Sequence, residues 1–168
     1  RLDHALALSQ RNNEQLAIFF VDLDQFKEVN DTQGHVVGDA WLGRVSDRLR
    51  NHSRSSDTLA RIGGDEFNIL IERVDGVLEL EQVAEHYLSL FNQPFNIDGQ
   101  EINISTSIGI AVYPRDGLDG VALIKNADMA MYKAKELGRN NFCFFSESFS
   151  QQVRERADIV HALKYAIK

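Results

Sequence analysis

The sequence is poor in residues that staple or stiffen a chain: among 168 residues there are one cysteine, Cys143, and two prolines, Pro94 and Pro114. A single thiol excludes an internal disulfide and a zinc site built on several cysteines, and it makes a reducing, cytoplasmic setting the expectation. No apolar run approaches the roughly 20 residues that a membrane helix needs. The opening RLDHALALSQ lacks the basic head and unbroken apolar stretch of a signal peptide. No membrane contact is therefore expected of these residues. Excess positive charge is missing too: 18 Lys and Arg face 25 Asp and Glu, a formal charge of −7. A nucleic-acid role resting on a basic surface finds no support in that balance, and a phosphate-bearing ligand would need positive charge supplied locally.

What is present is ordinary globular composition, 43% hydrophobic and 26% charged, which fits one domain. The chain opens on Arg1 and reads as a piece of a longer protein. Residues 17–24, AIFFVDLD, are apolar and then alternate carboxylates, the pattern of a strand buried on both faces whose end emerges at a site. A loop, NDTQGHVVGD, follows, and Val37, Trp41, Leu42, Val45 and Leu49 recur at helical spacing with Asp39 in the first turn. Thr58–Ile62 and Phe67–Glu72 flank Gly63-Gly64 as a hairpin, and Val77 to Phe91 forms a second amphipathic helix closed by Pro94. A turn at Asp98-Gly99 leads into a long strand over Glu101–Tyr113. Leu123 to Ala134 make a third helix, stopped at Gly138 in a left-handed cap. A short strand over Asn141–Phe145 and a last helix from Ser146 complete the chain. The order β-α-β-β-α-β-β-α-β-α, with its two hairpins, predicts an α/β (α+β) fold with a mixed, mainly antiparallel sheet.

Asp22 and Asp24 lie two apart at a strand end, so both side chains share one face while Leu23 points to the other. Asp65-Glu66 follow the Gly63-Gly64 turn directly. Either pair alone is first a solvated strand end or turn. If strand and hairpin are neighbours, however, the acids converge into an oxygen-rich cluster suited to Mg²⁺ (or Mn²⁺), which keeps positions open for phosphate oxygens. Lys27 stands just beyond the strand end, and Lys135 and Arg139 lie about one turn apart around Gly138. Alone, those cations belong to ordinary solvated faces.

The segment Arg61-Ile62-Gly63-Gly64-Asp65-Glu66-Phe67 resembles the signature of the GGDEF family of diguanylate cyclases. Residues 20–31, FVDLDQFKEVND, are similar to that family's first-strand motif, Gly34–Asp39 to its base-recognition turn and Ala134–Asn140 to its phosphate-binding turn. The boxes occur in the family's order, and Ser107–Ala111 and Ala127–Tyr132 extend the likeness over nearly the whole chain. The resemblance implies condensation of two GTP into cyclic di-GMP and two pyrophosphates by a homodimer, on a fold like those of nucleotidyl cyclases and polymerase palms. It implies Asp22, the Leu23 carbonyl and Asp65 as metal ligands, with Glu66 a further ligand or a supporting catalytic carboxylate, Asp65 as the candidate general base for the ribose 3′-hydroxyl, and Lys27 as the cation on the reacting phosphorus. Asn30, His35, Asp39, Gly63, Gly64, Lys135 and Arg139 are implied for substrate. Asn30 and Asp39 would read guanine, since a carboxylate can accept from the N1 proton and the 2-amino group together. His35 is equally readable as a structural hydrogen-bonder, and Asp24 is read as structural or as a support behind the metal ligands.

Arg54-Ser55-Ser56-Asp57 resembles the family's RxxD product-inhibition motif, which implies a separate site for cyclic di-GMP at Arg54 and Asp57. At the front only Arg1-Leu2 is left of the family's usual Asn-Arg turn, and Asp65 stands where many members carry Glu. Residues 1–147 are expected to form the catalytic domain and 148–168 a helix leading to a following domain, similar to the one that joins GGDEF to EAL phosphodiesterase domains. Two rivals follow. The first is a catalytically silent GTP-binding module that regulates an attached EAL phosphodiesterase; the second is another nucleotidyl transferase using the same palm-like site.

Overall fold

The computed structural model describes residues 1–97 and 99–148. In chain order its elements are α1 (Leu2–Asn12), β1 (Gln15–Leu23), α2 (Phe26–Gln33), α3 (His35–His52), β2 (Thr58–Gly63), β3 (Glu66–Val74), α4 (Val77–Ser89), β4 (Phe95–Ile97), β5 (Gln100–Ile102), β6 (Thr106–Tyr113), α5 (Gly120–Glu136) and β7 (Phe142–Phe144). One sheet runs β2-β3-β1-β6-β7. In it β1 is antiparallel to β3 and β6, and β7 is parallel to β6. The fold is therefore mixed α+β with a mainly antiparallel sheet, and β4 and β5 form a small hairpin beside it.

The sheet is organised around β1 because its alternate residues feed two cores. Ala17, Phe19, Val21 and Leu23 pack with Trp41 and Val45 of α3 and Leu80 and Tyr87 of α4. Leu16, Ile18 and Phe20 pack with Ala5 and Leu6 of α1 and Ala127 and Met131 of α5. A strand covered on both faces is apolar along both, and each large side chain so buried contributes about 1.5–3 kcal/mol. By the same alternation Asp22 and Asp24 fall on the α5 side. That helix lies close over the sheet at Gly109, where a Cβ would run into the Ala127 carbonyl oxygen and the Met131 backbone nitrogen.

Several expectations are corrected. Helix α1 was not foreseen; its spacing of Ala5, Leu6 and Ser9 buries one face against the second core. Part of the expected loop after the first strand is helix α2. Tertiary packing overrides the weak helix propensity of Asn30-Asp31-Thr32, because Phe26 stacks on Trp41 with ring centroids 5.2 Å apart and Val29 packs on the same core. Helix α3 begins at His35, so Asp39 sits in its second turn. The long strand expected over Glu101–Tyr113 is broken into β5 and β6, since residues 103–105 carry the chain from the small hairpin to the sheet. The Asp24 N–H donates to the Ser105 carbonyl at 2.9 Å, one step beyond the β1–β6 pairing that ends at Leu23 and Thr106, while β5 pairs with β4. Asp98 of the expected turn and residues 149–168 of the expected last helix lie outside the described residues.

Candidate active site

Strand pairing settles the condition on which the acidic cluster depended. β1 and β3 are neighbours, and Asp22 is the register partner of Glu66. The Leu23 N–H donates to the Asp65 carbonyl at 3.3 Å, so the hairpin turn is held against the end of β1. On the other side Thr106 Oγ1 donates to the Asp22 carbonyl at 2.7 Å. Asp22 is 5% exposed, whereas Asp65 and Glu66 are half-buried and Gly63 and Gly64 are exposed. Gly64 has φ 49°, and a Cβ at either glycine would meet nothing within 4 Å, so the floor of the turn is open.

The cation nearest this cluster is Lys135. Its Nζ lies 2.6 Å from Asp22 Oδ1, an ion pair between α5 and β1. Burial raises the Asp22 carboxyl, Lys135 opposes the rise, and the charges of Asp65 and Glu66 add to it, leaving Asp22 at about 6. Glu66 is raised by burial and by Asp128 and Asp65, again against Lys135, and Asp128 is raised by burial. Asp22, Glu66 and Asp128 thus all feel one ammonium, and Asp65 adds to the negative charge on Asp22 and Glu66. Among the described residues no three carboxylates, imidazoles or thiols close on a point as metal ligands do. The donor set nonetheless suits a hard divalent ion in kind: a buried carboxylate, crowded by other acids, that already binds a cation.

The expected phosphate cations divide between two places. α5 ends at Glu136, and Gly138, Arg139 and Asn140 follow with φ 117°, 62° and 49°. The Arg139 N–H bonds back to the Ala134 carbonyl at 3.2 Å and closes the left-handed cap. Lys135 therefore points inward to Asp22 while Arg139 is exposed at the rim. Lys27 is exposed in the first turn of α2.

Asn30, on α2, lies against Gly38 of α3: a Cβ at Gly38 would run into Asn30 Oδ1. The missing side chain makes the space that the amide occupies. Asp39 is next in sequence and exposed, and His35 is exposed at the start of α3. A cleft of about 580 Å³ runs between α2 and the β5–β6 connection, lined by Gln25, Glu28, Val29 and Ile104 among others; of the acids at the end of β1 only Asp24 touches it.

Arg54 and Asp57 come together elsewhere. The Arg54 N–H donates to Asp57 Oδ2 at 3.1 Å, and the two line a cavity of about 280 Å³ with His52, Glu79, His86 and Tyr87. Sequence reading missed Glu79, which takes Arg54 Nη1 at 2.7 Å. No motif marks a glutamate 25 residues away as that arginine's partner.

The family model described as the diguanylate cyclase GGDEF domain matches residues 1–141. A bifunctional diguanylate cyclase/cyclic di-GMP phosphodiesterase, MucR of Pseudomonas aeruginosa, is 43% identical over 168 residues, covering 100% of this chain and 24% of MucR. The cyclic di-GMP phosphodiesterase PdeR of Escherichia coli is 40% identical over 154 residues, 92% of this chain and 23% of PdeR. The solved GGDEF domain of TpbB from Pseudomonas aeruginosa superposes with a TM-score of 0.88 at 36% identity, covering 92% of this chain and 90% of that one. The chain thus spans about a quarter of the length of the two curated relatives.

Proposed function

The chain belongs to the GGDEF family of diguanylate cyclases, and on that premise we propose that it condenses two GTP into cyclic di-GMP, releasing two pyrophosphates. The observation that carries the reading is the buried acid end of β1, where Asp22 stands in register with Glu66 beside the open Gly63-Gly64 turn and binds a cation. Asp22, the Leu23 carbonyl, Asp65 and Glu66 would hold Mg²⁺ or Mn²⁺. When bound, such an ion acidifies the ribose 3′-hydroxyl and offsets phosphate charge. Lys135 has to leave Asp22 for this to happen, and its released ammonium is then free for the outer phosphate beside Arg139.

In the bond-making step the ribose 3′-oxygen of one GTP attacks the α-phosphorus of the other, pyrophosphate departs, and the 3′-proton passes to Asp65. Glu66 adds negative charge that keeps the cation in place, and Lys27 neutralises charge at the phosphorus. Asn30 and Asp39 read the guanine, with His35 in the same turn, and Gly63-Gly64 leaves room for the nucleotide. Repeating the step with the roles exchanged closes the ring. Each copy presents one GTP, so the active form is a homodimer with its two sites face to face. Arg54 and Asp57 form a separate product site through which cyclic di-GMP inhibits, once Arg54 exchanges Glu79 for product phosphate. Residues 1–147 act as the catalytic domain and 148–168 lead to a following domain, in the cytoplasm.

A second reading, a silent GTP-binding module that controls an attached phosphodiesterase, is favoured by the name of PdeR, a phosphodiesterase alone, whereas MucR is named for both activities. Incubating the dimerised chain with GTP and Mg²⁺ and separating the nucleotides by chromatography distinguishes the two. Cyclic di-GMP supports the cyclase; bound, unconverted GTP supports the regulator.

A further inference from the structure

Asp24 is 1% exposed, and three neutral donors surround its carboxylate. Ser105 Oγ reaches Oδ2 at 2.6 Å, Ser107 Oγ reaches Oδ1 at 2.7 Å, and the backbone N–H of Asn140 reaches Oδ2 at 3.1 Å. Its own N–H donates to the Ser105 carbonyl at 2.9 Å. Burying a carboxylate among neutral groups is costly, and joining β1 to β6 does not require it, because the backbone ladder already does so. The bond a plain ladder lacks is the one to Asn140. That residue ends a run of three left-handed residues, Gly138, Arg139 and Asn140. Two of these carry a Cβ, so the run is disfavoured unless it is fixed from outside. Asp24 fixes it on one side, and the Ile108 N–H, donating to the Asn141 carbonyl at 3.0 Å, fixes it on the other.

We infer that Asp24 is a positioning residue for phosphate binding: it clamps the turn Gly138–Asn140 to the acidic end of β1 and thereby sets where Arg139 stands. Two acids on one strand face then have divided tasks, Asp22 binding cations and Asp24 holding the cation-bearing turn. The inference rests on the proposed contact between Arg139 and the outer phosphates.

Electrostatics alone and positioning predict opposite signs here. Removing a negative charge beside a polyanion site tightens GTP binding by Coulomb's law; loosening the turn weakens it. Calorimetric titration of GTP and of GMP in Mg²⁺, on the wild-type chain, Asp24→Asn, Asp24→Ala, Arg139→Ala and the Asp24→Ala/Arg139→Ala double variant, separates them. Positioning predicts that Asp24→Ala weakens GTP about tenfold, the scale of one charge-assisted bond. GMP, which lacks the outer phosphates, should change less than about twofold, and the double variant should bind GTP no more weakly than Arg139→Ala. Asp24→Asn, which keeps the shape and one acceptor, carries the same test should Asp24→Ala not fold, with a smaller loss of GTP and none of GMP. Tighter or unchanged GTP binding in the Asp24 variants, equal losses for GTP and GMP, additive losses in the double variant, or an Arg139→Ala variant that binds GTP like wild type would each overturn the inference. Cyclic di-GMP is measured on the same wild-type sample. Its absence counts against the cyclase reading and leaves the binding comparison to decide the role of Asp24.

Discussion

Replacing Asp22 with asparagine is expected to stabilise the metal-free domain at neutral pH while abolishing activity. In the folded chain burial, only partly offset by Lys135, puts the Asp22 carboxyl at about 6 against an ordinary value of 3.8. The folded state therefore holds a proton more tightly than the unfolded one. Its contribution to stability is fully present below about pH 4 and is lost as pH rises through 6. The displacement corresponds to about 3 kcal/mol of penalty once the carboxylate is ionised, or very roughly 9 °C in Tm for a domain of this size. Asparagine keeps the shape without the titration. Thermal unfolding of wild type and Asp22→Asn in EDTA, from pH 3.5 to pH 8, should show curves that nearly coincide at the acid end and separate between about pH 4 and 6, with the variant more stable at pH 8. A gap that is independent of pH, or a variant less stable at pH 8, would refute the reasoning, because the Lys135 pair would then more than repay the burial of the charge.

Lys135→Met removes the ammonium that competes for Asp22, so Mn²⁺ binding without nucleotide, followed by electron paramagnetic resonance, is expected to tighten at pH 8 while GTP binding weakens about tenfold; a loss of both would mean that Lys135 is no competitor. Gly109→Ala drives a methyl into the backbone of α5 and is expected to cost about 3 kcal/mol in urea unfolding, and a loss under 1 kcal/mol would show that the helix shifts freely. Gly38→Ala displaces the Asn30 amide, so the preference for GTP over ATP in competition binding should fall with little change in Tm; unchanged preference would separate Asn30 from base reading.

The sequence displayed the site's parts better than their connections. Two acids at a strand end and two after a Gly-Gly turn were visible as pairs, and strand pairing brought Asp22 opposite Glu66 as the alternation required. The partner of Asp22 was not visible, since Lys135 comes from a helix more than a hundred residues away and its spacing to Arg139 implied one shared task. In the structure Lys135 turns to Asp22, while Arg139, beyond the left-handed residue Gly138, is exposed. Helix α2 was hidden because its hold on the core comes from Phe26 against Trp41, a contact that crosses elements, while its own Asn, Asp and Thr spell a loop. The broken strand before β6 misled for the opposite reason: apolar alternation continues through Ile102 and Ile104, although the backbone bonds change partners there.

The acid end of β1 is proposed to join two GTP. The most direct measurement counts cyclic di-GMP and pyrophosphate from one reaction of the chain held as a dimer, with wild type and Asp65→Asn side by side. Two pyrophosphates are expected for each cyclic di-GMP from wild type, and neither from the variant. GTP bound at stoichiometric level with no product from wild type, or product formation unchanged in Asp65→Asn, would contradict it.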